Sequence, residues 1–565
     1  MALNLVLSPV VSPVAYRGRC EKQELSGLLF LQPCRARLSS SVRQVQMTTS
    51  DWKRSMRSLF FSTVKFYQPF IALQAISLSA AMAARAEAGG RNSDAVLDDG
   101  GAGLTSFVWS DPKRPRICIL GGGFGGLYTA LRLESLIWPP DKKPQIVLVD
   151  QSDRFVFKPL LYELVSKEAD EWEVAPSFKE LLANTNIRFC QDTVRSIQPS
   201  DAVNGTPALA TASRDVGGSV YLSSGMQVDY DWLVLSLGSE PRMNVVPGAS
   251  ELALPFSTLE DALEVDRRLT TLENEASVYA PIEVVVVGSG YSGVELSATL
   301  AERLGQKGTV KVIDMASDIV ASAPAGTREA ASRVLSSRNV ELMLGYFVAN
   351  MRRADESSNR IRLELGQPSQ RPSRRAPPGQ TIEADLVLWT AGTKVSIPPS
   401  ETQAGYQSFP INGRGQADTD EMLRVRGYPR IFALGDSAGA TDGNGKQLPS
   451  TAQVAFQQAD YVGWNLWAAI NNRPLLPFRY QHLGEMMTLG TNDGSVSLSF
   501  IEGVTLDGFL GHQARKLAYL YRLPTNEHRA RVGLSWLAKT TVSTVSYLQE
   551  TISNSLIEAA DAILK

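Results

Sequence analysis

The sequence predicts an α/β fold of two doubly wound units, the second inserted into the first, and three observations predict it. ICILGGGFGG at Ile117 to Gly126 and VVVVGSGYSG at Val284 to Gly293 are two copies of one design. Each is followed by an apolar run ending in an aspartate, Ile146 to Val149 before Asp150 and Val310 to Ile313 before Asp314. Each is answered later by a strand that ends in a glycine turn, Gly238 in YDWLVLSLGSEP and Gly392 in ADLVLWTAGTK. RIFALGDSAG, Arg430 to Gly439, then closes the first unit after the second is complete.

In each copy a short apolar run, as expected of a strand buried on both faces, enters Gly-x-Gly-x-x-Gly and then an apolar-periodic helix. The glycines are Gly121, Gly123 and Gly126, with Gly125 between them, and Gly288, Gly290 and Gly293. The first of each set permits the tight turn, the second lets the backbone approach a pyrophosphate, and the third lets helix pack on strand. The phosphates would then lie at the positive end of the helix. Asp150 and Asp314, each at the tip of the second strand, are placed for the ribose hydroxyls of an adenine dinucleotide. The alternative for either is an ordinary strand-end turn residue. With both copies complete, the pattern is that of two Rossmann-like dinucleotide-binding domains.

The remaining elements follow in order. Residues 1–50 hold only Glu21 and Glu24 as acids against six basic residues and many serines, the composition of an organelle transit peptide. The Met-Ala start favours a plastid, with a mitochondrion or dual targeting as the alternative. Residues 51–112 are a spacer and linker, in which Pro69 to Ala84 is too short and polar for a membrane span and is either a second sorting signal or an unstructured spacer with some helical tendency. The folded body is expected from Lys113. A first part of one dinucleotide domain occupies 113–255, with Arg188 to Ile197 read as a strand and Pro199 to Gly218 as a polar insertion. The second domain occupies 256–395, entered through a linking helix, Thr258 to Leu272, and carrying an exposed loop from Pro368 to Gln380. The first domain resumes over 396–490, and 491–565 forms a C-terminal region.

Composition excludes several classes. With 56 basic and 58 acidic residues and no basic block in the body, nucleic acid is not an expected partner. Beyond the leader only Cys118 and Cys190 remain, with no close cysteine pair, which disfavours disulfide reduction and sulfide oxidation beside a flavin. His482, His512 and His528 show no metal-ligand spacing and read as scattered surface residues; no metal is expected.

In flavoproteins built from two such domains, the Gly-Asp pair matching Gly435 and Asp436 contacts the ribityl chain, and the helix that follows aims its positive end at the ring. Asp436 reads alternatively as a helix cap. The whole arrangement resembles the type II NAD(P)H:quinone oxidoreductases, the non-pumping alternative dehydrogenases, and is nearest the plastid-associated C-type branch of plants. The resemblance rests on GGGFGG from Gly121, GSGYSGVE from Gly288, LWTAGTK from Leu388, ALGD from Ala433 and AQVAFQQ from Ala452, and spans about Arg116 to Tyr461. It implies FAD in the first cradle, NADH or NADPH in the second, and a lipid-soluble prenylquinone beside the segment AQVAFQQ. It places Gln453 and Gln457 near that quinone and Glu295 facing nicotinamide and flavin, assisting proton supply. Lys394 is a weaker candidate for the same neighbourhood.

Gln453 and Gln457 stand four apart and share a helix face, although Ser450-Thr451-Ala452-Gln453 also fits a capping box. Glu295 reads alternatively as an acid on the first turn of its helix, favoured there by the dipole. Asp314 would repel the extra phosphate of NADPH, and Met315-Ala316-Ser317 offers no arginine to receive it, a leaning toward NADH. At the C-terminus Val532, Trp536, Leu537, Val545, Leu548, Ile552, Leu556, Ala559 and Ile563 recur at three or four residues, an amphipathic helical stripe suited to a membrane or lipid-body surface. The alternative is a helix packed on the core or on a second subunit, and the resemblance leaves a homodimer open. Two rival activities remain at this level: a flavin reductase with a soluble acceptor, and a slow nucleotide-sensing interaction protein.

Overall fold

Ile117 to Leu120 and Val284 to Val287 are apolar at every position, a composition suited to strands covered on both faces. Both become central strands of parallel sheets. In the first sheet the order is Ile431–Ala433, Trp232–Leu235, Arg116–Leu120, Gln145–Asp150 and Ile187–Gln191. In the second it is Leu254–Pro255, Leu386–Trp389, Ile282–Val287, Gly308–Asp314 and Glu341–Leu344. The registers correspond: Leu120 pairs with Val149 and Leu235, and Val287 pairs with Ile313 and Trp389. The edge strand Ile431–Ala433 follows the whole second sheet in the chain, so the second unit is nested in the first. Just past the two glycine turns, Thr393–Val395 pairs antiparallel with Ser239–Pro241, which sets Lys394 opposite Glu240.

This computed structural model describes residues 105–199, 217–276, 281–355, 359–368, 380–395, 397–399, 401–402, 405–406, 409–443, 445–499 and 505–539. All of them belong to one compact unit, Gly101–Lys565. The leader, the spacer up to residue 104, the insertion over 200–216, most of the Pro368 to Gln380 loop and the stripe from Val545 to Ile563 lie outside the described residues.

The expected single strand from Arg188 to Ile197 is two. Ile187–Gln191 ends the first sheet, and Val194–Pro199 enters a four-stranded sheet ordered Thr105–Ser106, Met226–Tyr230, Gly218–Leu222, Val194–Pro199. The break falls at Asp192, whose carboxylate accepts the Thr193 N–H at 2.7 Å, a local turn bond that competes with ladder pairing. Among the described residues regular structure is present from Thr105, ahead of the expected start at Lys113.

Phe124–Ser135 and Tyr291–Leu304 are the two fingerprint helices. The linking helix runs Leu259–Glu275, opened by a capping box in which Thr258 Oγ1 accepts the Asp261 N–H at 3.1 Å and Asp261 Oδ2 accepts the Thr258 N–H at 2.9 Å. Ala452–Ile470 packs on the first fingerprint helix, with the Phe456 ring 4.8 Å from Phe124 and 4.5 Å from Tyr128. Its cap is Thr451, whose Oγ1 accepts the Val454 N–H at 3.3 Å. The Ser450 to Gln453 capping box does not form, and the Gln453 amide is used elsewhere.

Candidate functional site

Both cradles are built to one plan. Gly121 and Gly288 turn with φ of +93° and +111°, conformations that L side chains rarely adopt. A Cβ on Gly126 would stand 1.8 Å from the Gly121 carbonyl oxygen, and one on Gly293 would stand 1.8 Å from that of Gly288, so each helix rides directly on its turn. Gly123 and Gly290, by contrast, have nothing within 4 Å of a would-be Cβ, which leaves open space above the backbone where a pyrophosphate would lie. Gly125 serves packing, since its Cβ would meet Leu434 at 3.1 Å.

Hydroxyls from the returning strands brace both turns. Ser236 Oγ donates to the Leu120 carbonyl at 2.8 Å, and Thr390 Oγ1 donates to that of Val287 at 2.9 Å. Asp150 accepts the N–H groups of Gly122 at 2.6 Å and Ser152 at 2.8 Å. Burial pushes its carboxyl up from the ordinary range against the pull of these bonds. Asp314 accepts from Ser289 N–H at 2.5 Å, Ser289 Oγ at 2.9 Å and Ala316 N–H at 2.8 Å. Each aspartate, at the tip of its strand, thus braces its own glycine loop.

Gly238 and Gly392 end the returning strands with φ of +75° and +72°, both facing open space. Gly435 and Asp436 lie in a short 3-10 turn, Gly435–Ser437, with the long helix beginning only at Ala452. Asp436 is therefore no cap of that helix; its Oδ2 accepts the Ser239 hydroxyl at 2.5 Å, and Ser437 Oγ accepts the Gly238 N–H at 3.2 Å. The helix still reaches this turn, because Gln458, 1% exposed, accepts the Gly435 N–H at 2.6 Å. The sequence reading passed over Gln458, although it adjoins Gln457; its signal was a second glutamine on the inward face.

Gln453 and Gln457 both spend their amides on one segment. Gln453 donates to the Gly484 carbonyl at 3.0 Å and accepts from the Tyr480 hydroxyl at 2.7 Å and the Leu483 N–H at 2.9 Å. Gln457 exchanges a pair of bonds with the Gln481 backbone at 2.8 and 2.9 Å. The strand that follows, Gly484–Thr488, crosses to the second fingerprint helix, where the Tyr291 hydroxyl bonds Glu485 and Glu295 Oε1 accepts the Thr488 N–H at 2.9 Å. One stretch of chain, Tyr480 to Thr488, therefore joins all three polar candidates, and nothing in its sequence singled it out.

Glu295 is 7% exposed and sits in the second turn of its helix, which begins at Tyr291, so the dipole at the first turn does not account for it. Burial raises its carboxyl to about 7, opposed by the Thr488 N–H, the Arg515 charge and the Tyr162 hydroxyl. Arg515, on the Gly508–Arg522 helix, is 0% exposed; its Nη2 donates to Glu163 at 2.7 Å. Burial pushes Glu163 up, but Arg515 and Lys516 outweigh it and hold the carboxyl below its ordinary value. Arg515 Nε and Nη1 have no hydrogen-bond partner among the described residues. The Arg515 charge acts on Glu295 and favours its ionised form. Lys394 is exposed in its two-stranded ladder.

The structure overturns two expectations. His512 and His528 are buried, 1% and 4% exposed, so they are not surface residues; burial and then Arg515 push His512 down to about 4, and it is neutral. No cluster of potential metal ligands occurs among the described residues. In the helix over 526–539, Val532 is fully buried and Trp536 lies under Lys516 at 5.4 Å, so these two face the body. The outward apolar residues are Leu534 and Leu537, with Phe509, Leu510, Leu517 and Tyr521 on the preceding helix. No described helix is long and apolar enough to cross a membrane.

A family model described as pyridine nucleotide-disulphide oxidoreductase matches residues 115–459. The alternative NAD(P)H-ubiquinone oxidoreductase C1, chloroplastic/mitochondrial, of Arabidopsis thaliana is 56% identical over 465 residues, covering 81% of this chain and 88% of its own length. The demethylphylloquinone reductase NdbB of Synechocystis is 42% identical over 433 residues, covering 75% of this chain and 96% of its own. Among solved structures, NDH2 from Plasmodium falciparum in complex with NADH shares the fold with a TM-score of 0.58 at 16% identity, over 75% of this chain and 98% of that one. Two duplicated cradles, one nested in the other, and relatives matched over nearly their whole length lead to one assignment: the chain belongs to the pyridine nucleotide-disulphide oxidoreductase family and, within it, to the type II NAD(P)H:quinone oxidoreductases.

Proposed function

We propose that the enzyme passes a hydride from NAD(P)H to FAD and two electrons onward to a membrane prenylquinone, without pumping protons. The relative from Arabidopsis is named for ubiquinone and that from Synechocystis for demethylphylloquinone. Prenylated benzo- and naphthoquinones, plastoquinone among them, are the substrate class we assign. The first cradle, with Gly121, Gly123, Gly126, Asp150, Gly238, Gly435 and Asp436, would hold FAD, and the second, with Gly288, Gly290, Gly293, Asp314 and Gly392, the nicotinamide nucleotide. When bound, FAD supplies the two-electron relay between nucleotide and quinone. The chain's own residues bind, orient and provide protons. Segments 113–255 and 396–490 form the FAD domain in this reading and 256–395 the NAD(P)H domain.

The observation that carries the reading is Glu295. A carboxyl held near neutrality on the helix of the nucleotide cradle is poised to give and regain a proton at cellular pH, as quinol formation requires. Arg515, whose charge favours the ionised form of Glu295, would steady the carboxylate once its proton has left. Gln453 and Gln457 act by fastening Tyr480 to Gly484, the wall of the acceptor side. Asp314, at the tip of the second strand and braced by three donors, would meet the ribose, and Met315 beside it offers no cation for an extra phosphate, so NADH is the preferred nucleotide. The test is steady-state oxidation of NADH and NADPH with a short-chain quinone set against ferricyanide. A preference for ferricyanide or a soluble protein acceptor, with the quinone barely reduced, overturns the assignment.

The enzyme works at a membrane or lipid-body surface of a plastid or mitochondrion, attached through the outward residues Phe509, Leu510, Leu517, Tyr521, Leu534 and Leu537. Leu517→Asp with Leu537→Asp should abolish co-sedimentation with phospholipid vesicles. Undiminished co-sedimentation of this variant refutes the attachment.

A further inference from the structure

Glu295 is almost wholly covered, so each proton it delivers must be replaced through other side chains. One turn earlier on the same helix, Tyr291 bonds through its hydroxyl to Glu485 Oε2. The other oxygen of Glu485 faces His482 Nε2 at 3.9 Å. The His482 side chain is 48% exposed, and its Nδ1 lies 3.3 Å from the Tyr480 hydroxyl, which donates to Gln453. These side chains run from solvent to the helix face that carries Glu295, and the electron-transfer chemistry uses none of them.

We propose that His482, Glu485 and Tyr291 form a proton relay from solvent to Glu295. The inference rests on the quinone-reductase reading, in which NAD(P)H, one proton and a quinone give NAD(P)+ and a quinol. The hydride brings two electrons and one hydrogen nucleus, and the second proton comes from water. His482 takes it up and passes it to Glu485, and Tyr291 receives it on the same oxygen from which its own proton leaves toward Glu295. Tyr291 works as a neutral relay and not as an anion, because burial, the Glu485 bond and the nearby Glu295 all push its ionisation up. At four residues' spacing Tyr291 and Glu295 have Cβ atoms about 5–6 Å apart, and a bridging water is the proposed last link between them.

The ionisable groups around the path are few and come from five parts of the chain. Tyr291 and Glu295 lie on the fingerprint helix, Glu485 on its strand, and Tyr480 and His482 on the segment before it. Tyr162 faces Glu295 from Leu161–Val165, and Arg515 and Tyr519 face it from Gly508–Arg522. Tyr162 and Tyr519 are both pushed up by burial and stay protonated, and Arg515 holds its charge against burial beside Glu163. None of these leads to solvent as His482 does.

The test follows the carbonyl-stretch infrared band of protonated Glu295 in the full-length holoenzyme after a jump from alkaline to mildly acid pH, the band being assigned by its absence in Glu295→Gln. The rise of the band should slow by roughly tenfold or more in Glu485→Gln, Tyr291→Phe and His482→Gln. Imidazole added to the buffer should restore the His482→Gln rate, which a merely structural role would not allow. A rise as fast as in the parent in all three variants overturns the relay. His482→Gln alters a half-exposed side chain, so folding does not decide the outcome. The signal needs neither nicotinamide nor quinone, so the relay and the quinone reading fail independently.

Discussion

Replacing Glu295 by glutamine keeps the shape and the bond to the Thr488 N–H while removing the titration. In the native protein the carboxyl titrates at about 7, against an ordinary value of 4.5, because burial disfavours its charged form. A raised carboxyl binds its proton more tightly folded than unfolded, so its contribution to stability is full below pH 4.5 and is lost as pH rises through 7. At 1.36 kcal/mol per unit, the loss between pH 5 and pH 8 amounts to about 2–3 kcal/mol. Glu295→Gln should be free of that loss. Relative to the parent it should gain about 2–3 kcal/mol between pH 5 and pH 8 in urea unfolding followed by tryptophan fluorescence. Other groups with displaced values, such as Glu168 raised to about 6 and His512, are common to both proteins and cancel in the difference. The same substitution should remove the titration near 7 from the rate of quinone reduction and slow it by roughly a hundredfold, as expected for loss of a general acid. Stability curves that stay parallel across this pH range, or a rate that keeps its titration near 7, would refute the assignment of that proton to Glu295.

Gly126→Ala sets a methyl against a backbone oxygen in the first cradle and Gly293→Ala does so in the second. The former should yield protein depleted of its yellow chromophore, and the latter should keep the chromophore but raise the KM for NAD(P)H by roughly tenfold or more, as overpacking costs about 1–3 kcal/mol; absorbance and steady-state rates separate the two. Gln458→Leu strips the acceptor from the Gly435 N–H and should weaken flavin retention by about 1–3 kcal/mol, read as flavin release on dilution. Arg515→Met leaves the buried Glu163 carboxylate with Lys516 alone, at 3.7 Å, and should destabilise by up to about 3 kcal/mol. Adding Glu163→Gln should recover much of that loss, and failure of the double variant to recover in urea unfolding counts against a buried charge pair.

The two cradles were legible because a dinucleotide turn is a local object. Three glycines within six residues, an apolar run on each side and an aspartate at the next strand tip all lie close along the chain, and both parallel sheets follow from them. The linking helix was legible for the same reason, since Thr258 and Asp261 cap it within one turn. What surrounds Glu295 was not legible. Its acceptor bond comes from Thr488, 193 residues away, and the Arg515 guanidinium beside it answers Glu163 across 352 residues. Periodicity marks which residues turn inward but not which inward residues meet. It also misread Val532 and Trp536, because a helix with apolar residues on two sides does not declare which side the body will cover. Gln453 showed the same limit: spacing put it on a helix face, and only packing decided that its amide would fasten Tyr480, Leu483 and Gly484. Local backbone geometry is written in neighbouring residues, whereas the environment that sets a buried carboxyl's proton affinity is assembled from distant segments and exists only once they have packed.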